Sequence, residues 1–262
     1  MRIAAVGDLH CNAAGQGAYE PLFAAMARAA DALVLAGDLT DLGLPEEAQV
    51  LASELRAASP RPVIAVLGNH DYESGAVDQV RAILEGAGVT VLDGGTHVVG
   101  GVGFAGVKGL GGGFGNRSLQ PWGEDVMKRL VHEAVEEALK LESALARLRT
   151  TARVAVLHYS PIRETVEGEP PEIFPFLGSS RLEEPLIRYD VTVTVHGHAH
   201  HGSPEGKTRA GSPVYNVCLA LLRAASPTVP PFRLIDLGEV PSPTEEPAGA
   251  AAADGAGRGP TP

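Results

Sequence analysis

Short apolar runs alternate with longer stretches of helical periodicity through the first third of the chain. They are RIAAV (2–6), YEPLFAAMARAA (19–30), ALVLA (32–36), PEEAQVLASELRAA (45–58), PVIAVL (62–67) and DQVRAILEGAG (78–88). This alternation predicts βαβ units and a largely parallel sheet, wound right-handed. In the second helical stretch Pro45 suits the first turn, and Val50, Leu51 and Leu55 fall on one face.

Beyond Gly88 the period changes. VTVLDGG and THVVGGVGFAGVKG read as two β-rich runs, with Asp93-Gly94 as the hairpin turn between them. The segment from about 109 to 149 reads as an insertion: a glycine-dense loop, GLGGGFGNRS, then one long helix from Trp122 to Arg149. Val126, Leu130, Ala134, Ala138, Leu141, Leu145 and Leu148 recur along that helix at three- and four-residue steps. An ordinary packing helix is the first reading, a cover over a site or a partner surface the second. Strands resume at RVAVL, VTVTV, PVYNV and FRLIDL. The expectation is one domain over 1–237, followed by a disordered Pro/Ala/Gly-rich tail over 238–262, which carries too little apolar surface to offset its ordering entropy.

The bulk numbers narrow the function classes. A chain of 262 residues with 44% hydrophobic content can bury a large core. Its 21 basic against 32 acidic residues give a formal charge of -11, which disfavours nucleic acid as a partner. Two cysteines make no disulfide framework, and no run reaches membrane-spanning length, so the expectation is a cytoplasmic protein with no membrane partner. GGVGFAG matches a dinucleotide-binding pattern but runs on into VKGLGGG instead of opening a helix. GSPEGKT is one residue short of a phosphate-binding loop and reads as a hairpin loop.

Chemistry gathers where the buried runs stop. RIAAV is followed by Gly-Asp8-Leu-His10, ALVLA by Gly-Asp38-Leu-Thr-Asp41, PVIAVL by Gly-Asn69-His70-Asp71, RVAVL by His158, and VTVTV by His196-Gly-His198-Ala-His200. In open α/β sheets that edge is where ligands bind, so residues distant in sequence become neighbours there. Asp8, His10, Asp38, Asn69, His158, His198 and His200 make seven oxygen or nitrogen donors. Seven exceed one tetrahedral ion and suit two divalent ions sharing a carboxylate; imidazole and oxygen without thiolate point to Mn, Fe, Zn or Co.

The series G-D-L-H, G-D-L-T-D, G-N-H-D, a single histidine and G-H-A-H, in this order from residue 7 to residue 200, resembles the calcineurin-like metallophosphoesterases, nearest to their bacterial phosphodiesterase-like branch. The resemblance implies an α/β fold, a four-layer αββα sandwich of two mixed β-sheets flanked by helices. It implies one metal on Asp8, His10, Asp38 and His200, and a second on Asp38, Asn69, His158 and His198, with Asp38 bridging. It implies His70 as the catalytic histidine and Asp41 as the acid that orients it. Asp71 is a helix cap or a support to the chemistry. Cys11, His196 and His201 depart from the pattern as local hydrogen-bond partners, surface residues or extra substrate contacts, the first two being the first reading. The serine/threonine protein phosphatases of the wider family carry an arginine and a glutamate where this chain has Leu42 and Asp71, which argues against a protein phosphatase.

The expected activity is hydrolysis of a small phosphodiester by a water held between two ions about 3.5–4 Å apart. A phosphomonoesterase of the same fold, or a metal-binding scaffold without catalysis, are the alternatives. Asn116, Arg117 and Arg163 are candidate substrate contacts or plain loop residues.

Overall fold

Every residue of ALVLA is buried, because both faces of this strand are covered. That is why it reads as a continuous apolar run rather than an alternating one. Leu33 and Leu35 turn to one side, Ala32, Val34 and Ala36 to the other. In the computed structural model, which describes residues 1–58, 61–226 and 228–238, this strand is the centre of a five-stranded sheet. Strands β1 (Arg2–Val6), β2 (Ala32–Ala36), β3 (Val63–Val66) and β4 (Val89–Val91) run parallel, and β11 (Arg233–Asp236) closes the edge antiparallel to β1. Helices α1 (Glu20–Ala29), α2 (Pro45–Ala58) and α3 (Val77–Gly86) cover its outer face, where Phe23, Met26, Leu51, Leu55, Val80 and Leu84 meet Leu33, Leu35 and Ala65.

The second sheet has six strands in the order β5-β6-β7-β8-β10-β9. These are β5 (Gly95–Val99), β6 (Val102–Val107), β7 (Ala152–Leu157), β8 (Val193–His196), β9 (Glu205–Lys207) and β10 (Pro213–Asn216). Strands β6, β7, β8 and β10 run parallel, while β5 and β9 are antiparallel edges. The two sheets face each other through Ile3, Val34, Ile64 and Val66 on one side and Phe104, Val154, Val156 and Val195 on the other. Each such fully buried side chain contributes ~1.5–3 kcal/mol. Helix α4 (Asp125–Arg147) and helix α6 (Glu183–Arg188) cover the far face through Leu141, Ala144, Leu145 and Leu186, completing four layers, αββα.

Three expectations need correction. Asp93-Gly94 is the passage from the first sheet to the second, not a hairpin turn. The hairpin lies at Gly100-Gly101 between β5 and β6, and both glycines have the positive φ that a tight turn of this hand requires. Lys207 belongs to an edge strand, with the hairpin loop one step later at 208–212. The long helix packs as a flanking layer, yet Val126 at its start is exposed, because the helix begins before it reaches the sheet. The expected tail lies, apart from Gly238, outside the described residues. Among the described residues, no helix is long and apolar enough to cross a membrane.

Candidate metal centre

The loops after β1, β2, β3, β7 and β8 converge on one rim. Asp8 N–H donates to Gly37 carbonyl at 2.9 Å, and His10 N–H to Asp38 carbonyl at 3.0 Å, so the first two loops run side by side like a short extension of the sheet. Of the five described non-glycine residues with positive φ, four are Asp8, His10, Asp38 and His198, with φ of 56, 46, 47 and 70°. Each such backbone costs ~1–3 kcal/mol and persists only where the surroundings over-determine it, a pattern concentrated at functional sites.

The motif glycines make the room. A Cβ on Gly68 would sit 2.1 Å from Asp38 Oδ1, and one on Gly197 would sit 2.3 Å from Asp8 Oδ2. Gly37 has φ +83°, and a Cβ there would lie 2.4 Å from His158 Nδ1.

Asp38 is the hub. Its Oδ1 accepts the His70 N–H at 2.9 Å and lies 3.3 Å from His158 Nε2, while its Oδ2 lies 3.9 Å from His10 Nε2. Burial alone would raise the Asp38 carboxyl, but the His158 ring outweighs it and holds the group well below the ordinary carboxylate range. His158 is fully buried, which disfavours its charge, yet the Asp38 carboxylate prevails and pushes its pKa up to about 9. His158 Nδ1 faces the Ala36 carbonyl at 3.0 Å, a pure acceptor, so Nδ1 carries a proton and Nε2 is the nitrogen left for the site. That Nε2 also meets Asn69 Oδ1 at 2.9 Å.

His198 follows the same logic. Its Nε2 donates to the Phe176 carbonyl at 3.1 Å, its ring packs on those of His158 and Tyr159, and burial pushes its pKa down to about 3. It is therefore neutral, with Nδ1 as the available donor. Asp38, His158 and His198 each place a donor atom within 4.8 Å of the others. The expected first group falls into two separate sets. Asp8 Oδ1 lies 3.2 Å from His200 Nε2, and His10 and Asp38 gather with His70. The donor chemistry fits divalent transition ions. The His10 Nε2 adds a second sign: it is buried, has no hydrogen-bond partner and faces this cluster.

His70 stands beside the cluster, its ring edge-on to that of His10 at 4.5 Å. Its Nδ1 lies 2.6 Å from the backbone carbonyl of Asp41, which corrects the expected role of that residue. The Asp41 carboxylate reaches toward His10 Nδ1 at 3.7 Å instead, because its loop turns the carbonyl inward to His70. Asp71 is buried and ties loops together rather than capping a helix. His196 is buried between Thr165 Oγ1 and the Gly197 carbonyl, each 2.8 Å away, and His201 is exposed. Asn116, Arg117 and Arg163 line a separate cavity of about 360 Å³ that none of the seven donors touches.

Two contributors were missed in the sequence. Cys218, at the end of β10, has its sulfur near donors of Asp8 and His200; burial first and the Asp8 charge second push its thiol pKa up, so it stays protonated. Asn216 donates to the Ala199 carbonyl at 2.7 Å and pins the G-H-A-H loop. Applying the strand-end rule to PVYNV as well would have found both.

Solved structures share the fold. A phosphopantetheinyl hydrolase (PptH) from Mycobacterium tuberculosis aligns with a TM-score of 0.64 at 17% identity, over 92% of this chain and 98% of that one. TT1561 of Thermus thermophilus aligns with a TM-score of 0.53 at 14% identity, over 90% and 98% of the two chains. A putative 5'-nucleotidase from Staphylococcus aureus aligns with a TM-score of 0.50 at 17% identity, over 82% of this chain and 48% of that one. No curated protein matches the chain. The family model of the calcineurin-like phosphoesterases matches residues 1–202, the stretch that carries all seven donors expected from the sequence. The chain therefore belongs to the calcineurin-like phosphoesterase family and is a metal-dependent phosphoesterase.

Proposed function

We propose that this protein hydrolyses a small phosphodiester with two divalent ions, Asp38 bridging them. The observation that carries the reading is the division of labour at Asp38: one carboxylate oxygen faces His158 at 3.3 Å and the other faces His10 at 3.9 Å. Asp8, His10, Asp38 and His200 would hold one ion, and Asp38, Asn69, His158 and His198 the other. Divalent ions in such a site supply Lewis acidity toward phosphoryl oxygens and lower the pKa of water into the neutral range.

The chain's own groups do the rest. Because His70 Nδ1–H is committed to the Asp41 carbonyl, its Nε2 is the atom left to face the substrate; carrying a second proton, as the imidazolium, it would donate to a phosphoryl oxygen or protonate the departing alkoxide, a role worth about 10²- to 10⁴-fold. Asp8 is held by the His198 N–H at 2.8 Å, which couples the first strand end to the last. The likeness in fold to a phosphopantetheinyl hydrolase and a putative 5'-nucleotidase agrees with a small phosphorylated substrate.

The test is turnover of p-nitrophenyl phosphate and bis-p-nitrophenyl phosphate with Mn²⁺, Fe²⁺, Zn²⁺ or Co²⁺ added, beside elemental analysis of the purified protein. Two ions per chain and faster diester cleavage are expected, both lost in Asp38→Ala. Faster cleavage of the monoester would make it a phosphomonoesterase. Metal uptake with no turnover of either ester would leave only a metal-binding scaffold.

A further inference from the structure

A cavity of about 310 Å³ opens directly beside the metal cluster. Leu110, Leu130, Tyr159, Pro175 and Phe176 line it, with His198 at its inner end. His198 is thus shared between the cluster and the cavity, and the Tyr159 ring leans on it at 4.4 Å with the planes tilted by 48°. No charged side chain lines this space.

The walls are built firmly. Gly112 N–H donates to the Pro175 carbonyl at 2.6 Å, and a Cβ on Gly111 would lie 2.4 Å from the same oxygen, so the glycine loop lies flat against the segment that carries Phe176. Gly109 N–H donates to the buried Glu137 carboxylate at 2.7 Å, which fastens that loop to α4. The Phe176 carbonyl accepts from His198, so the outer wall is bonded to a residue of the cluster.

Apolar side chains near this wall are also exposed. Val126 stands one turn before Leu130 on α4, at the i, i+4 spacing that places two side chains on one face. Val126 is 61% exposed, Phe176 65%, and Trp122, just before the helix, 72%. Isolated exposed apolar residues need no explanation, but Phe176 is both exposed and part of an apolar cavity that includes His198, and Val126 shares a helix face with Leu130 of the same cavity.

We infer that one ester group of the substrate is an alkyl or aryl moiety lodged between α4 and the Gly109–Gly113 loop, with the phosphate at the cluster. This inference rests on the phosphoesterase reading above and goes beyond it in naming the chemistry of the arm. The arginine-lined cavity around Arg117 and Arg163 would suit an anionic arm, but it contacts none of the cluster donors.

The test is a series of methyl n-alkyl phosphodiesters, the second alkyl arm running from methyl to octyl, kept below micelle concentrations, with Mn²⁺. kcat/KM is expected to rise about fourfold per methylene until the cavity is filled, from ~0.8 kcal/mol per buried CH₂. Alkylphosphonates, which have no ester to cleave, report the same slope as calorimetric affinity whether or not turnover occurs. Leu130→Asn should flatten both slopes, while Leu139→Asn, an exposed position on the same helix outside the cavity, should keep them. A flat series in the wild type, or an equal slope in Leu130→Asn, overturns the assignment. Absence of turnover throughout the esters, with the phosphonate slope intact, would sink the phosphoesterase reading and leave an apolar binding pocket. Co-sedimentation with phosphatidylcholine vesicles that Leu130→Asn abolishes would point to a lipid surface and overturn the soluble ester.

Discussion

Asp71 turns its buried carboxylate back onto Thr40, accepting the Thr40 N–H at 2.8 Å and the Thr40 hydroxyl at 2.6 Å. The same carboxylate accepts N–H groups from Leu39 at 3.2 Å and Gly68 at 2.8 Å, so one side chain stitches the loop of Asp38 to the loop of Asn69 and His70. In Asp71→Asn an NH₂ group would face donors where an acceptor is needed. The expected loss of stability is about 2–4 kcal/mol, since hydrogen bonds to a charged group are the strong ones and an unmet buried donor costs more. Urea unfolding of the metal-free protein measures it, and a loss under about 1 kcal/mol, the net worth of one ordinary hydrogen bond, would show that the stitching does not hold the rim.

Gly68→Ala should disable the centre by displacing the Asp38 side chain and its backbone together. The added methyl would lie 2.1 Å from Asp38 Oδ1 and 2.3 Å from Asp38 N, so the carboxylate must leave its position between the two histidines. Gly75→Ala is the comparison: its φ is +76° but nothing lies within 4 Å, so only backbone strain of ~1–2 kcal/mol is expected. Elemental analysis should find metal in Gly75→Ala and little in Gly68→Ala. Full metal loading in Gly68→Ala would mean that Asp38 does not bridge.

His196 predicts how the metal-free protein responds to acid. Burial pushes its pKa from the ordinary 6.5 down to about 4. The unfolded chain therefore takes up a proton below about pH 6.5 that the folded chain refuses until about pH 4. The unfolded state binds more protons across that window, so stability is greatest above it and falls as pH falls through it, by roughly 3 kcal/mol in total. His196→Gln should reduce the slope of unfolding free energy against pH between about 6.5 and about 4.5, inside that window. An unchanged slope would assign the acid sensitivity to other groups.

Much of this architecture was readable because parallel strands covered on both faces appear as unbroken apolar runs, and each run ended on a donor. ALVLA and PEEAQVLASELRAA correspond residue for residue to β2 and α2. What stayed hidden depends on contacts that residue identity does not encode. Asp93-Gly94 and Gly100-Gly101 are equally good turns by composition, and only the split of β4 and β5 between two sheets decides between them. Cys218 is the exception, since it follows the strand-end run PVYNV and the same rule applied there would have found it. The wall at Phe176 is set by α5 (Phe174–Leu177), a helix too short to show periodicity.

Asp41 gives the sharpest separation of roles. A family pattern assigns its carboxylate to His70, but in this protein the His70 ring is fixed by the Asp41 carbonyl, which no substitution at the side chain removes. The carboxylate instead stands 3.7 Å from His10 Nδ1, on the far side of a ring whose Nε2 faces Asp38. A group so placed orients a ligand and makes its nitrogen a better donor, and loss of such support typically costs about 10- to 100-fold in metal affinity. Asp41→Asn should therefore need about 10-fold or more added Mn²⁺ for half-maximal activity, yet reach a kcat within about threefold of wild type once saturated. His70→Ala should show the reverse, normal metal titration with kcat down by about 10²- to 10⁴-fold. Titrating metal at fixed substrate, then substrate at saturating metal, reads the two effects separately. A large fall in saturated kcat for Asp41→Asn, with its metal titration unchanged, would return the carboxylate to His70 and make the carbonyl contact incidental.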